Sequence, residues 1–251
     1  MTTTFADRAY LVTGAASGIG RATAEHLARH GAARLVLADR DAAALARIDL
    51  GCTIDLLPGD VADETLWAQA APVLAGIDGA VINAGVAGAG TIADLSFDEW
   101  RRILSVNLDG AFLTMRAAMR AMAGRAGAIV AVVSAAGIKP ERGVAAYGAS
   151  KAGLIQMVKV AAKEGAAQRL RVNAIAPAGV ETPVWDAVPM FADRAAAIGR
   201  EAAFAELAAL ATPLGRYAKV EEIAAQIAFL LSDAAALMTG TILVSDGGYT
   251  L

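Results

Sequence analysis

The chain holds a single cysteine, Cys52, in 251 residues. One thiol excludes an internal disulfide framework, and Cys52 lacks the neighbours that a metal cluster needs, so it reads as a small apolar residue. There are only two histidines, His26 and His30, both on one early helical stretch, where they read as structural or solvated; no metal is expected. Aromatic residues are scarce at 5% against 57% hydrophobic overall. The apolar content is therefore largely Ala, Val, Leu and Ile, which suits close packing of helices on a sheet and excludes a disordered chain. Positive charge is not in excess: the net charge is -3 with Lys and Arg scattered, so there is no footprint for nucleic acid. No uninterrupted apolar segment approaches the roughly 18 residues that span a bilayer. The start, MTTTFADRAYLVTG, has no basic region followed by an apolar run. A soluble, cytoplasmic protein with no membrane partner is the expectation. Long Pro/Gly/Ser-rich linkers and charge blocks are missing as well, which favours one domain over residues 1–251.

What is present is a rhythm. Short apolar or β-branched runs (YLVT, RLVLAD, TIDLL, GAVIN, AIVAVVS, RVNAIAP and TILVSD) alternate with longer helical stretches. Seven such runs separated by helices indicate βαβ units and a parallel sheet covered on both faces. Helices are predicted from about Asp98 to Met122 and from about Tyr147 to Arg169. Each carries apolar residues around most of its circumference: Ile103, Val106, Phe112, Met115, Met119 and Met122 in one, Leu154, Ile155, Met157, Val158 and Val160 in the other. Such helices need cover on more than one side, which points to a partner subunit, a neighbouring helix being the alternative. Between Thr182 and about Leu210 the rhythm breaks into a long connection with Trp185, Met190 and Phe191, expected to be a functional lid.

Directly after the first strand comes TGAASGIG, Thr13 to Gly20, running into a helix. Gly14, Gly18 and Gly20 let backbone approach a pyrophosphate, toward which the helix N-terminus points its partial positive charge. Asp39 ends the second strand, 19 positions after Gly20. A carboxylate there accepts hydrogen bonds from adenosine ribose hydroxyls and repels a 2′-phosphate, favouring NAD over NADP. Arg40 is placed to stack on adenine or to contact a phosphate. Asp60, before Val61, is placed for the adenine amino group, and Asn83, in INAG, for the passing cofactor.

Farther along, AAYGASKAG sets a phenol at Tyr147 and an amine at Lys151 one helical turn apart, on one face. Ser134 closes the fifth strand 13 residues before Tyr147. A free Tyr titrates near ~10, and each unit of depression by a neighbouring ammonium reflects about 1.4 kcal/mol. Lys151 is the neighbour expected to lower it, while the Ser134 hydroxyl can hold a substrate oxygen.

Taken jointly, TGAASGIG, Asp39, Asp60-Val61, NAG, Asn107, Ser134, YGASK and a C-terminal DGG resemble the short-chain dehydrogenase/reductase family over essentially the whole chain. The resemblance implies a Rossmann-type, doubly wound, seven-stranded parallel sheet with helices on both faces, a three-layer α/β/α fold. It implies Tyr147 as acid/base, Ser134 orienting the substrate, Lys151 binding the nicotinamide ribose and lowering the Tyr147 pKa, and Asn107 anchoring a water in a proton relay. Gly179, Val180 and Thr182 match the segment that meets the carboxamide, Val180 through its backbone and Thr182 through its hydroxyl. Ser17, Ile19, Ala84, Gly85 and Pro177 are counted with the cofactor residues. A homotetramer assembled through the two apolar helices is implied. The chain departs from the pattern at Ile82, where NNAG becomes INAG, and at Pro177-Ala178-Gly179, where Pro-Gly is usual. The expected activity is NAD-dependent interconversion of a secondary alcohol and a ketone, on an apolar or cyclic substrate. Val184, Trp185, Met190, Phe191, Ile138 and Val144 are expected to line its pocket or to pack, while Lys139, Glu141 and Arg142 leave a polar substrate open. A non-catalytic NAD-binding regulator or scaffold of the same fold is the alternative.

Overall fold

The seven apolar runs form seven strands: β1 (Ala9–Thr13), β2 (Arg34–Asp39), β3 (Thr53–Pro58), β4 (Gly79–Ile82), β5 (Gly127–Val132), β6 (Leu170–Pro177) and β7 (Ile242–Ser245). A computed structural model describes residues 4–251; the first three positions of the opening stretch lie outside it. The strands make one parallel sheet in the order β3-β2-β1-β4-β5-β6-β7. The chain therefore winds outward through β2 and β3, then returns to lay β4 beside β1. That reversal opens a crevice beyond the C-terminal ends of β1 and β4, where ligands of such sheets sit.

Helices α1 (Gly18–Arg29), α2 (Ala42–Leu45), α3 (Glu64–Leu74), α4 (Phe97–Leu104), α5 (Ala111–Ala121), α6 (Ala145–Gly165), α7 (Pro189–Ile198), α8 (Arg200–Ala211) and α9 (Val220–Leu231) complete the fold. Strand side chains alternate between the two faces. Thus Leu11, Ile129 and Ala131 join one buried core with Trp67, Met115, Leu154 and Val158. Tyr10, Val12, Val130 and Val132 join the other with Leu27, Ile223 and Ile227. Burying each of the larger side chains contributes about 1.5–3 kcal/mol. Ile82, the departure in INAG, is buried at the end of β4 in the first core, so its apolar side chain suits its place.

Two features differ from the sequence expectation. The helix predicted over Asp98–Met122 is interrupted by a wider π-type coil at Ser105–Gly110. The connection after β6 folds into a short 3-10 turn (Pro183–Ala187) plus α7 and α8, and has its own small core of Phe191, Ala203, Phe204, Ala208 and Tyr217. No helix among the described residues is long and apolar enough to cross a membrane.

Candidate active site

Asp41, Asp63 and Ser96 cap the N-termini of α2, α3 and α4 with their side chains. Ser17, at the start of α1, makes no such cap, and the first helical bond there is Arg21 N–H to Ser17 C=O. The orphan N–H groups of that turn remain available to an anion. Gly14 and Gly18 adopt positive φ (65° and 53°), which only glycine tolerates at low cost. Gly20 is needed for a different reason: a Cβ there would lie 2.1 Å from the Gly14 carbonyl oxygen.

The turn is strapped to β4. Asn83 Nδ2 donates to the carbonyls of Thr13 (2.9 Å) and Gly14 (3.3 Å). The Thr13 hydroxyl accepts from the N–H groups of Asn83 and Ala84 and donates to Val81 C=O. Asp39 braces it from the other side, since Oδ2 accepts from Ala16 N–H at 2.9 Å and Oδ1 from Asp41 N–H at 3.0 Å. Asp60 Oδ1 accepts from Ala62 N–H, and the Trp67 indole N–H holds the Val61 carbonyl at 2.8 Å. Together these groups enclose a cleft of about 300 Å³.

Of the sequence-predicted cofactor residues, Gly14, Ser17, Gly18, Ile19, Asp39, Arg40, Asp60, Val61, Asn83, Ala84, Gly85 and Thr182 line this cleft. Gly20 lies tight behind the turn, and Pro177, Gly179 and Val180 lie off the lining. Sequence reasoning missed Gly59, Val86, Val106, Val132 and Pro183 on its walls. Gly59 precedes Asp60 and Val86 follows NAG, so adjacency to a motif was their only signal.

Behind the wall at Gly85, Val86 and Val132 stands the second group. Ser134 follows β5, is 8% exposed, and its Oγ accepts from Ala136 N–H. Tyr147 enters the first turn of α6 half-buried. Lys151, 4% exposed, donates from Nζ to the Val132 carbonyl at 2.9 Å and lies 5.7 Å from the Tyr147 ring centroid. A Cβ on Gly85 would sit 3.5 Å from Lys151 Nζ and 3.2 Å from Asn107 Oδ1, so both side chains abut the cleft at that glycine. Asn107 lies in the π coil, a form that often marks functional positions. Its amide accepts from Val86 N–H (2.7 Å) and donates to Val86 C=O (2.9 Å) and to Ser150 Oγ (3.2 Å). Ser150 Oγ donates in turn to Tyr147 C=O at 2.7 Å, so one strap joins the cleft wall to the helix bearing Tyr147 and Lys151.

The electrostatics correct one expectation. Lys151 does not lower Tyr147 in this geometry; burial holds the phenol above its usual value, and a hydrogen bond from Ser134 opposes that rise. The lysine is itself desolvated, which brings its pKa to about 8 from 10.5. Between those two values the unfolded chain binds more protons at this lysine than the folded chain does. Wild-type stability should therefore climb with pH across that window, by at most about 1.4 kcal/mol per pH unit from this group. In Lys151→Met that part of the climb should vanish. Urea titrations of both proteins between pH 8 and 10 check this, and equal slopes would show that the lysine titrates normally.

The apolar residues after β6 are used unevenly. Phe191 is fully buried, and Trp185 packs at 5.6 Å from it and at 5.4 Å, stacked, from Tyr217. These two are spent on the segment's own core, whereas Val184 lines the cleft and Met190 is largely exposed. Ile138 is exposed and Val144 is of intermediate exposure. Lys139 is engaged as well: its Nζ donates to the Tyr249 carbonyl at 2.8 Å and sits over that ring at 4.5 Å. Ala178 has no positive φ, so the departure there does not strain the backbone.

Comparisons with known proteins agree with the fold. Residues 14–250 match the family described as Enoyl-(Acyl carrier protein) reductase. The chain is 40% identical to cis-4-hydroxycyclohexanecarboxylate dehydrogenase of Sinomonas cyclohexanicum, with 98% of each chain covered. It is 34% identical to trans-4-hydroxycyclohexanecarboxylate dehydrogenase of the same organism, over 98% of this chain and 93% of the relative. Among solved structures, a short-chain type dehydrogenase/reductase from Mycobacterium marinum superposes with a TM-score of 0.86 at 32% identity, covering 98% and 97% of the two chains.

Proposed function

Because this chain belongs to the short-chain dehydrogenase/reductase family, we propose that it interconverts a cyclic secondary alcohol and its ketone with NAD. What supports this reading is that Lys151 and Asn107 bond to Val132 and Val86, two residues of the cleft wall, with Tyr147 beside Lys151. The uncapped turn of α1, the positive-φ glycines and the Gly20 approach fit a pyrophosphate, and Asp39 fits an unphosphorylated ribose. When bound, the nicotinamide supplies the acceptor or donor of hydride.

The remaining chemistry belongs to the chain. Ser134 Oγ holds the substrate oxygen, and Tyr147 Oη takes its proton during oxidation or returns it during reduction. Lys151 serves the nicotinamide ribose, and Asn107 is the relay residue that also ties Val86 to α6. Val180 and Thr182 serve the carboxamide. The walls at Val106, Val132 and Val184 suit an apolar ring. Residues 182–210 act as the lid of a single domain over residues 1–251. Phe112 on α5 and Val160 on α6, 47% and 44% exposed, are the contacts through which we expect a homotetramer to form. A cytoplasmic location completes this reading.

The test is the absorbance of reduced nicotinamide with a panel of alcohols: cis- and trans-4-hydroxycyclohexanecarboxylate, cyclohexanol, an open-chain secondary alcohol and a polyol. Ring alcohols should be oxidised with kcat/KM about tenfold or more above the open-chain ones, a difference of roughly 1.4 kcal/mol in barrier. Best turnover on the polyol would overturn the ring preference, and tight cofactor binding with no turnover on any alcohol would favour the non-catalytic alternative.

A further inference from the structure

The three residues Val180, Glu181 and Thr182 are gripped from outside the cleft. The Trp185 indole N–H donates to the Val180 carbonyl at 2.9 Å. Glu181 N–H donates to Ala218 C=O at 3.0 Å. Arg200 Nη2 donates to the Thr182 carbonyl at 2.9 Å, and its guanidinium lies over the rings of Phe191 (5.3 Å) and Phe204 (5.1 Å). Tyr217, stacked on Trp185, fills the space beside Gly179 so fully that a Cβ there would meet its ring at 2.2 Å.

Both carbonyls that flank Glu181 are thus drawn toward the aromatic core of the lid. Among the groups of these three residues that have no intramolecular hydrogen-bond partner are the N–H groups of Val180 and Thr182, the Glu181 carbonyl and the Thr182 hydroxyl. Thr182 lines the cleft, and its methyl would lie 3.4 Å from a Cβ on Gly18. The Val180 N–H shares its peptide plane with the Gly179 carbonyl, which accepts from Ala218 N–H at 3.0 Å, and Trp185 and Arg200 fix the planes that follow through the Val180 and Thr182 carbonyls, so the backbone on both sides of Val180 and up to Pro183 has little freedom to turn. On the reading of the cleft given above, we propose that Trp185 and Arg200 are positioning residues for the nicotinamide end of the cofactor. Acting through the Val180 and Thr182 backbone, they couple the lid to the seat of the carboxamide.

This role separates the two ends of the dinucleotide. Trp185→Phe keeps an aromatic ring in the stack and removes only the N–H. It should weaken binding of NADH by about five- to tenfold, the effect of one lost buried hydrogen bond. Binding of ADP-ribose, which lacks the nicotinamide, should stay within about twofold, since neither residue touches that half of the cleft. Arg200→Gln should show the same selective loss. Isothermal titration of both ligands against wild type and both variants measures this without turnover, and a thermal melt of each variant checks folding.

Equal weakening toward NADH and ADP-ribose, or no weakening toward either, would overturn the positioning role while leaving the dinucleotide site in place. A wild type that bound neither ligand would overturn the dinucleotide reading and this inference with it.

Discussion

Replacing Tyr147 with phenylalanine is expected to lower kcat by about 10³-fold, within the 10²–10⁴ that positioned proton transfer contributes, while dinucleotide affinity stays within about twofold. The substitution removes one atom, the phenolic oxygen. The ring keeps its place on α6, Lys151 keeps the Val132 carbonyl, and Ser134 keeps Ala136 N–H. Because burial raises the Tyr147 pKa, the phenol is protonated at neutral pH and ready to donate toward a ketone. Oxidation of an alcohol draws on the deprotonated form, so its rate in the wild type should climb with pH. Steady-state rates in both directions, from pH 6 to 10, check both statements. A variant with near-normal turnover, or a wild type whose oxidation rate ignores pH, would remove Tyr147 from the proton path.

Removal of the Asp39 carboxylate should reshape cofactor choice. A carboxylate and a 2′-phosphate about 4 Å apart repel by a few kcal/mol at the dielectric of a half-exposed site. Asp39→Ala should therefore narrow the NAD-over-NADP ratio in kcat/KM by about 30-fold or more, roughly 2 kcal/mol. The structure adds a second effect, because this carboxylate also accepts from Ala16 N–H within the phosphate turn. Losing that bond, worth about 1 kcal/mol, should weaken both cofactors alike. The expected signature is a common loss with a changed ratio, read from binding titrations of each cofactor. A common loss with an unchanged ratio would leave Asp39 only its bracing role.

How much of this was legible beforehand depends on the range of the interactions. Strand identity is local: alternating or continuous apolar runs of fitting length sufficed for all seven strands. Tyr147 and Lys151 could be paired because a helix turn sets their spacing, and Gly14, Gly18 and Gly20 could be singled out because they follow a strand and open a helix; that Gly14 and Gly18 also take positive φ appeared only in the fold. The direction of the Tyr147 pKa was not legible, since it depends on how completely the surrounding walls desolvate the phenol and on the lysine turning to Val132. Nor was the use of Trp185 and Phe191. An aromatic residue in a long connection can face a ligand or its own neighbours, and only the packing of α7 on α8 with Tyr217 decides between them. Val86 and Val132 became cleft walls through contacts 21 and 19 positions away in sequence, with Asn107 and Lys151.

The wide coil at Ser105–Gly110 has a bearing on how neighbouring sequence should be read. An ordinary helix turns each successive residue by about 100°, so one surplus residue within the coil shifts the angular phase of everything after it. Ile103 is buried and Phe112 is 47% exposed, so the stretch turns one apolar side chain inward before the coil and another outward after it. Anyone grafting, shortening or threading this helix must count residues separately on either side of Asn107.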